Sequence, residues 1–251
     1  MEHRILLSNL GYARGLNGSM LHHMALGYRH LWCPPGVQMH TLAALKALIR
    51  QQAPDICCLL EIENGASPSS RLNHLELLKD AEYFFSDAEN KYAPNSRLRQ
   101  SHFTSGKSNG FIARREYDFQ KLYFSHGTKR LIYSVELEPE LTLFFTHFSL
   151  THKIRQRQLE ELFDLADKTE GEVIMMGDFN LLKGLDEVLP LLLPRKLTLL
   201  NDPELHTFLL YRRRLVLDLC ICSESLAEKA KLHVLPQPYS DHAALLLELN
   251  T

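Results

Sequence analysis

Apolar residues along this chain follow two rhythms. Short unbroken runs, such as ILL at 5–7, ICCLL at 56–60 and VIMM at 173–176, have the length and continuity of strands buried on both faces. Elsewhere the spacing is helical: Leu42, Leu45, Leu48 and Ile49 predict a helix over 39–52, and Ile154, Leu159, Leu162 and Leu165 another over 153–168. Pro54 and Asp55 stop the first helix, and 56–62 reads as the strand that follows. Further strands are predicted at 110–113, 131–137, 141–145, 216–222 and 243–249. Between these elements lie a loop-like region with Gly11, Gly15 and Gly18, and a leucine-rich region at 181–200 with prolines. Residues 63–108 are polar and rich in Ser, Asn and Pro, with a helical piece near 72–81. Loops of that length are often functional. No repeat or linker interrupts the series, so one mixed α/β domain over residues 1–251 is the economical reading.

Several of the apolar runs end in polar side chains. Asn9 follows RILLS, Glu61 ends ICCLLE, His147 follows LFFT, and Asp178 and Asn180 end IMMGDFN. Asp218 sits inside LVLDLCI, and Asp241 with His242 precedes AALLLEL. Singly these residues are ordinary: GDFN is turn chemistry, a lone histidine is commonly structural, and a strand-end glutamate is commonly solvated. Together they form a set that a sheet could gather at one edge. Grouped carboxylates repel one another and lose hydration unless a cation or a proton compensates. The set is rich in oxygen and has no thiolate, which favours magnesium or manganese over zinc.

Composition narrows the class. With 45% hydrophobic and 23% charged residues the chain is globular. A formal net charge of −2 disfavours tight nonspecific nucleic-acid binding but leaves room for a local basic patch. The five cysteines are odd in number, lack CxxC pairing and lie partly inside apolar runs, so buried free thiols in a reducing compartment are expected. The amino terminus lacks the apolar core of a secretory signal, and no segment approaches the ~20 apolar residues of a membrane helix. A cytoplasmic location is the expectation.

In chain order the motifs are SN at Ser8 and Asn9, PDICCLLE ending at Glu61, TH at Thr146 and His147, GDFN at 177–180, LDLCICS around Asp218, and SDH at 240–242. This series resembles the endonuclease/exonuclease/phosphatase superfamily of metal-dependent phosphoesterases. The resemblance implies a four-layer α/β/β/α sandwich of two packed mixed sheets, with the site at one end. It also implies attack on a phosphate ester by a metal-activated water. Carried over, Glu61 would bind Mg2+ or Mn2+ with Asn9 as ligand or close partner and Asp241 in support. Asp178 and Asn180 would orient water and phosphate. His242, held by Asp218, would transfer a proton or stabilise the phosphorane, and His147 would contact the phosphate or assist the leaving group. Asn109 in KSNGFIAR and Arg130 in GTKRLIY are weaker substrate-binding candidates, and a turn asparagine and a surface arginine explain them equally well.

The substrate stays open at this level. GDFN is followed by Leu181, Leu182 and Lys183 rather than the arginine usual in inositol polyphosphate phosphatases, which disfavours that subgroup. Leu60 before the glutamate and Ala244 after SDHA also depart from common patterns. The stretch 83–107 interleaves Tyr83, Phe84, Phe85, Tyr92 and Phe103 with Arg97, Arg99 and Lys107, which suits bases, a phospholipid headgroup or plain loop packing. A phosphodiesterase on nucleic acid or on a lipid or small phosphodiester is the first expectation. A phosphomonoesterase and a noncatalytic phosphate-binding module are the alternatives, and no protein partner can be inferred.

Overall fold

The computed structural model describes residues 2–66 and 72–250. Strand β1 (Glu2–Asn9) shows how the apolar runs are used. Ile5 and Leu7 face one apolar cluster while Leu6 faces another, so both faces of the strand are covered and alternation with polar residues disappears.

The first sheet has the order β13–β14–β1–β2–β4–β3. Its members besides β1 are β2 (Ile56–Glu63), β3 (Phe85–Asn90), β4 (Lys107–Ala113), β13 (Ala230–Leu235) and β14 (Ala244–Asn250). The second runs β5–β6–β7–β8–β12–β9. It comprises β5 (Phe119–Tyr123), β6 (Leu131–Glu138), β7 (Leu141–His147), β8 (Glu172–Asp178), β9 (Leu197–Leu199) and β12 (Asp218–Ser223). A hairpin of β10 (Phe208–Leu210) and β11 (Arg213–Leu215) stands apart.

Each sheet contains one parallel pair, β1 with β2 and β7 with β8, and the remaining pairs are antiparallel. Parallel neighbours need a long crossover. Helix α2 (Pro35–Gln52) supplies the first crossover and buries Leu42, Leu45 and Ile49 against Leu6, Cys57 and Leu59. Helix α5 (His152–Asp167) supplies the second, burying Leu159, Leu162 and Phe163 against Phe144 and Met175. Between the sheets pack Ile5, Cys58, Phe111, Tyr133, Phe145, Ile174 and Leu247, so the layers are helix, sheet, sheet, helix. The two packed mixed sheets are the expected sandwich.

Several boundaries differ from the sequence reading. Helix α2 starts at Pro35 rather than 39, because a proline in the first turn loses no hydrogen bond the helix would make. The polar stretch 63–108 contains more structure than a loop, and its residues 67–71 lie outside the described ones. The helical piece forms only as α3 (His74–Leu78), capped by Asn73 Oδ1, which accepts from Leu75 N and Glu76 N. Strand β3, sequence FSDAEN, has little strand propensity and forms at the free edge that β4 offers. The predicted 173–176 strand extends to Asp178, and the strand predicted from 216 begins at Asp218. The short helices α1 (Met20–Leu26), α4 (Arg97–Gln100), α6 (Leu189–Leu192) and α7 (Glu224–Ala227) complete the helical elements named here.

Candidate active site

Register sets out the first row of the site. His147, Asp178 and Asp218 are direct neighbours across β7, β8 and β12, and all three are buried. Gly177 permits that alignment, since a Cβ there would lie 2.2 Å from Thr146 O of the adjacent strand. From the other sheet come Asn9, at the end of β1, and Glu61 of β2. The β2–β4 register shifts between Leu59 and Ile62, and Glu61 holds the left-handed φ of +53° that accompanies the shift. Asn109 Oδ1 accepts from the Glu61 backbone N–H at 3.1 Å and so fixes this kink.

Hydrogen bonds join the two sheets here. Asn9 Nδ2 donates to Asp178 Oδ2 at 3.1 Å, and the Gly11 N–H donates to Asn9 Oδ1 at 3.2 Å. His242 Nδ1 pairs with Asp218 Oδ2 at 2.7 Å, while His242 Nε2 lies 3.9 Å from Asp178 Oδ2. The Phe208 ring packs on His242 with centroids 4.7 Å apart. Thr207 Oγ1 accepts from the Leu217 and Asp218 N–H groups and anchors the start of β12. Asn180, at φ +53°, donates from its backbone to Asp178 Oδ1 and from Nδ2 to Phe148 O. Asp241 is half-buried against Gly11 and Gly18, and its backbone carbonyl accepts from Leu209 N. A cavity of about 230 Å³ opens beside Asp241 and His242, walled by Phe208, Pro236 and Pro238.

Three residues that no strand-end pattern marks also converge here. Lys91 Nζ bonds Glu61 Oε1 at 3.0 Å and also meets the Tyr12 hydroxyl, which donates to the same carboxylate oxygen at 3.3 Å. Lys129 Nζ lies 3.9 Å from Glu61 Oε1 and touches His147 Nε2. Arg130, its neighbour in sequence, instead donates from Nε to Gly127 O, bracing the turn before β6. The KR pair was visible in the sequence. Which member enters the site is decided by that turn.

Burial and charge oppose each other throughout. Burial alone would raise Glu61, but Lys91, His147 and Lys129 hold its carboxyl well below the usual range. Burial likewise opposes ionisation of Asp178, yet His147, His242 and Lys129 bring it down to about 2. Burial pushes Lys129 down to about 8 and His147 down to about 4, the nearby Lys129 ammonium adding to the latter. Burial works against a cationic His242, but Asp218, Asp178 and Asp241 raise it to about 10. Asp218 is pushed up by burial while His242 pulls it down. Because the two are 2.7 Å apart, we read them as an ion pair with the proton on His242. His147 Nε2 faces both Asp178 Oδ2, at 3.1 Å, and the Lys129 ammonium. One ring nitrogen cannot donate to the first and accept from the second at once, so its tautomer follows whichever partner prevails.

The donor set fits a hard divalent cation. Asp178, Asp218 and His242 offer ligand atoms within 4.8 Å of one another, and Asp218 Oδ1 is buried without a hydrogen-bond partner. Both overlapping donor sets are already engaged within the protein: Asp218 with His242 in the triad, and, in the other, Glu61 Oε1 with Lys91 and Tyr12 and Asn9 Oδ1 with the Gly11 N–H. The five cysteines are buried and unpaired, and none belongs to the cluster.

No curated protein sequence matches the chain. Among solved structures, an endonuclease/exonuclease/phosphatase from Beutenbergia cavernae is similar at 17% identity and a TM-score of 0.70, covering 99% of this chain and 71% of that one. D. rerio TDP2, complexed with single strand DNA product, is similar at 17% identity and 0.63, covering 100% and 99%. The human nocturnin catalytic domain, with a bound sulfate anion, is similar at 15% and 0.65, covering 99% and 94%. At these identities the likeness establishes the fold. The family model of hydrolytic phosphoesterases that matches residues 37–242 contains every expected site position except Asn9, and the chain belongs to the Endonuclease/Exonuclease/phosphatase family.

Proposed function

We propose that this chain is a divalent-cation-dependent phosphodiesterase that opens a P–O bond by in-line attack of water. The observation that carries the reading is His242, held by Asp218 at 2.7 Å and facing Asp178 at 3.9 Å, across from Glu61 and two lysines.

Glu61, with Asn9 beside it and Asp241 in support, would hold Mg2+ or Mn2+, which when bound supplies charge neutralisation at the phosphate and a more acidic water. The side chains account for the rest. Asp178, kept ionised, accepts a hydrogen bond from the attacking water and aligns it, while Asn180 braces the turn behind it. His242 brings a fixed positive charge to the nonbridging oxygens as the phosphorane develops. Lys91 and Lys129 add two further ammonium groups toward the same charge, and neutral His147 contacts the phosphate or serves the departing oxygen through a ring N–H. Asn109 acts through Glu61 rather than on substrate, and Arg130 through the turn that presents Lys129.

Residues 1–251 would act as one unit. No helix among the described residues is long and apolar enough to cross a membrane. The five buried unpaired cysteines support a reducing, cytoplasmic setting.

One observation favours a second reading. Glu61 is already neutralised by Lys91, as suits a noncatalytic phosphate-binding module or a monoesterase whose substrate carries extra charge. Hydrolysis of bis(p-nitrophenyl) phosphate and of p-nitrophenyl phosphate separates the three, measured with Mg2+, with Mn2+ and with chelator. Metal-dependent diester turnover that falls by about 100-fold or more in His242→Ala is expected. Preference for the monoester selects the monoesterase, and inert wild type that still binds phosphate selects the module.

A further inference from the structure

Not one aspartate or glutamate occurs from residue 3 to residue 54, nor from 205 to 217, in a chain whose formal net charge is −2. The structure brings parts of these two acid-free stretches together. The Tyr211 N–H donates to Gly18 O at 2.7 Å, and the His23 ring meets the Tyr211 ring edge-on at 5.1 Å. Gly18, at φ +74°, is required there, since a Cβ would fall 1.8 Å from Leu209 O. The hairpin tip and α1 therefore form one rim.

That rim is apolar and cationic together. On α1 Leu21 is 78% exposed and Met24 80%; on the turn that follows, whose His30 ring lies 5.8 Å from that of His23, Leu31 is 85% and Trp32 58%. Leu21 and Met24, three apart on α1, share a face. Beside them the hairpin exposes Arg212, Arg213 and Arg214 in succession. Large aliphatic side chains held in water with guanidinium groups alongside suit partition into an interface, where the chains enter the acyl boundary and the cations meet lipid phosphates. Single-stranded nucleic acid is held by stacking on aromatic rings, whereas the most exposed side chains here are the aliphatic Leu21, Met24 and Leu31, with Trp32 and Tyr211 less exposed. A second copy of this chain would set one arginine cluster against another.

We propose that α1, the following turn through Trp32 and the β10–β11 hairpin form a docking surface for an anionic lipid bilayer. The surface adjoins the mouth of the candidate site: Phe208 of the hairpin packs on His242, and Leu209 N bonds Asp241 O. On the phosphodiesterase reading, which this extension rests on, docking presents lipid headgroup phosphodiesters to that mouth.

Trp32 is the only tryptophan, so its emission reports on the surface directly. The full chain is titrated with phosphatidylcholine vesicles, with vesicles containing phosphatidylglycerol, and with the latter carrying brominated acyl chains. A shift to shorter wavelength and bromine quenching with the anionic vesicles alone are expected. Leu21→Glu with Met24→Glu, and separately Arg212→Gln with Arg213→Gln and Arg214→Gln, should each weaken docking by at least about tenfold. Circular dichroism of both variants separates lost docking from lost fold. Emission unmoved by anionic vesicles, an equal response to phosphatidylcholine alone, or a response only to a single-stranded oligonucleotide overturns the proposal. The readout is independent of turnover, so an inert wild type that still docks overturns the hydrolase reading and leaves this surface standing.

Discussion

The Glu61 carboxylate faces two ammonium groups that reach it from outside the strand ends, Lys91 at 3.0 Å and Lys129 at 3.9 Å. Any cation binding at Glu61 must contend with them, because like charges at such separations repel strongly in a partly desolvated site. Lys91→Met should therefore bind Mn2+ about tenfold more tightly than wild type. The electron paramagnetic resonance signal of free Mn2+ during titration measures this. Unchanged or weaker binding would assign the ion to carboxylates other than Glu61. The same residues mark the limit of what the sequence shows. Asn9, Glu61, His147 and Asp178 were legible because each closes an apolar run, and a sheet brings such ends to one edge. Lys91 follows an edge strand too weak to predict, and Lys129 differs from Arg130 only in which side of a turn it occupies. Tyr12 arrives through a left-handed φ of 61° that leaves no mark in composition.

Among the elements, the long helices and central strands were readable from periodicity, and the helical piece near 72–81 survives as the shorter α3, whereas β3 and the β10–β11 hairpin depend on contacts far along the chain. Helix α3 is tied to β2 through His74, which is fully buried and accepts at Nδ1 from Glu63 N at 3.2 Å. Burial lowers its pKa from 6.5 to about 4, so the folded chain refuses a proton that the unfolded chain accepts. The sign follows: His74 leaves stability intact above about pH 6.5, subtracts from it as pH falls, and reaches its full effect near pH 4, at about 3 kcal/mol. His74→Asn keeps an acceptor for the Glu63 N–H without the titration. Urea unfolding at pH 7.5 and pH 5 should accordingly show a smaller loss in the variant than in wild type. Equal losses would mean that His74 accepts its proton inside the fold.

For the molecule as a whole, the four layers follow from strands buried on both faces and two helices long enough to cover them. The placement of the site between layers is not written in any single run. Glu61 and Asn9 belong to one sheet, His147, Asp178 and Asp218 to the other, and the Asn9–Asp178 hydrogen bond crosses between them. Most of the structure would tolerate a small slip of one sheet over the other, since apolar packing between the sheets has no strict direction. The site would not, because catalytic geometry tolerates far less displacement than packing does. Turnover should therefore fade at urea concentrations below those that lose far-ultraviolet circular dichroism, and coincident midpoints would refute this. A cleft with each wall on a different sheet is a vernier, and the rate it supports is a reading of how the two scales are aligned.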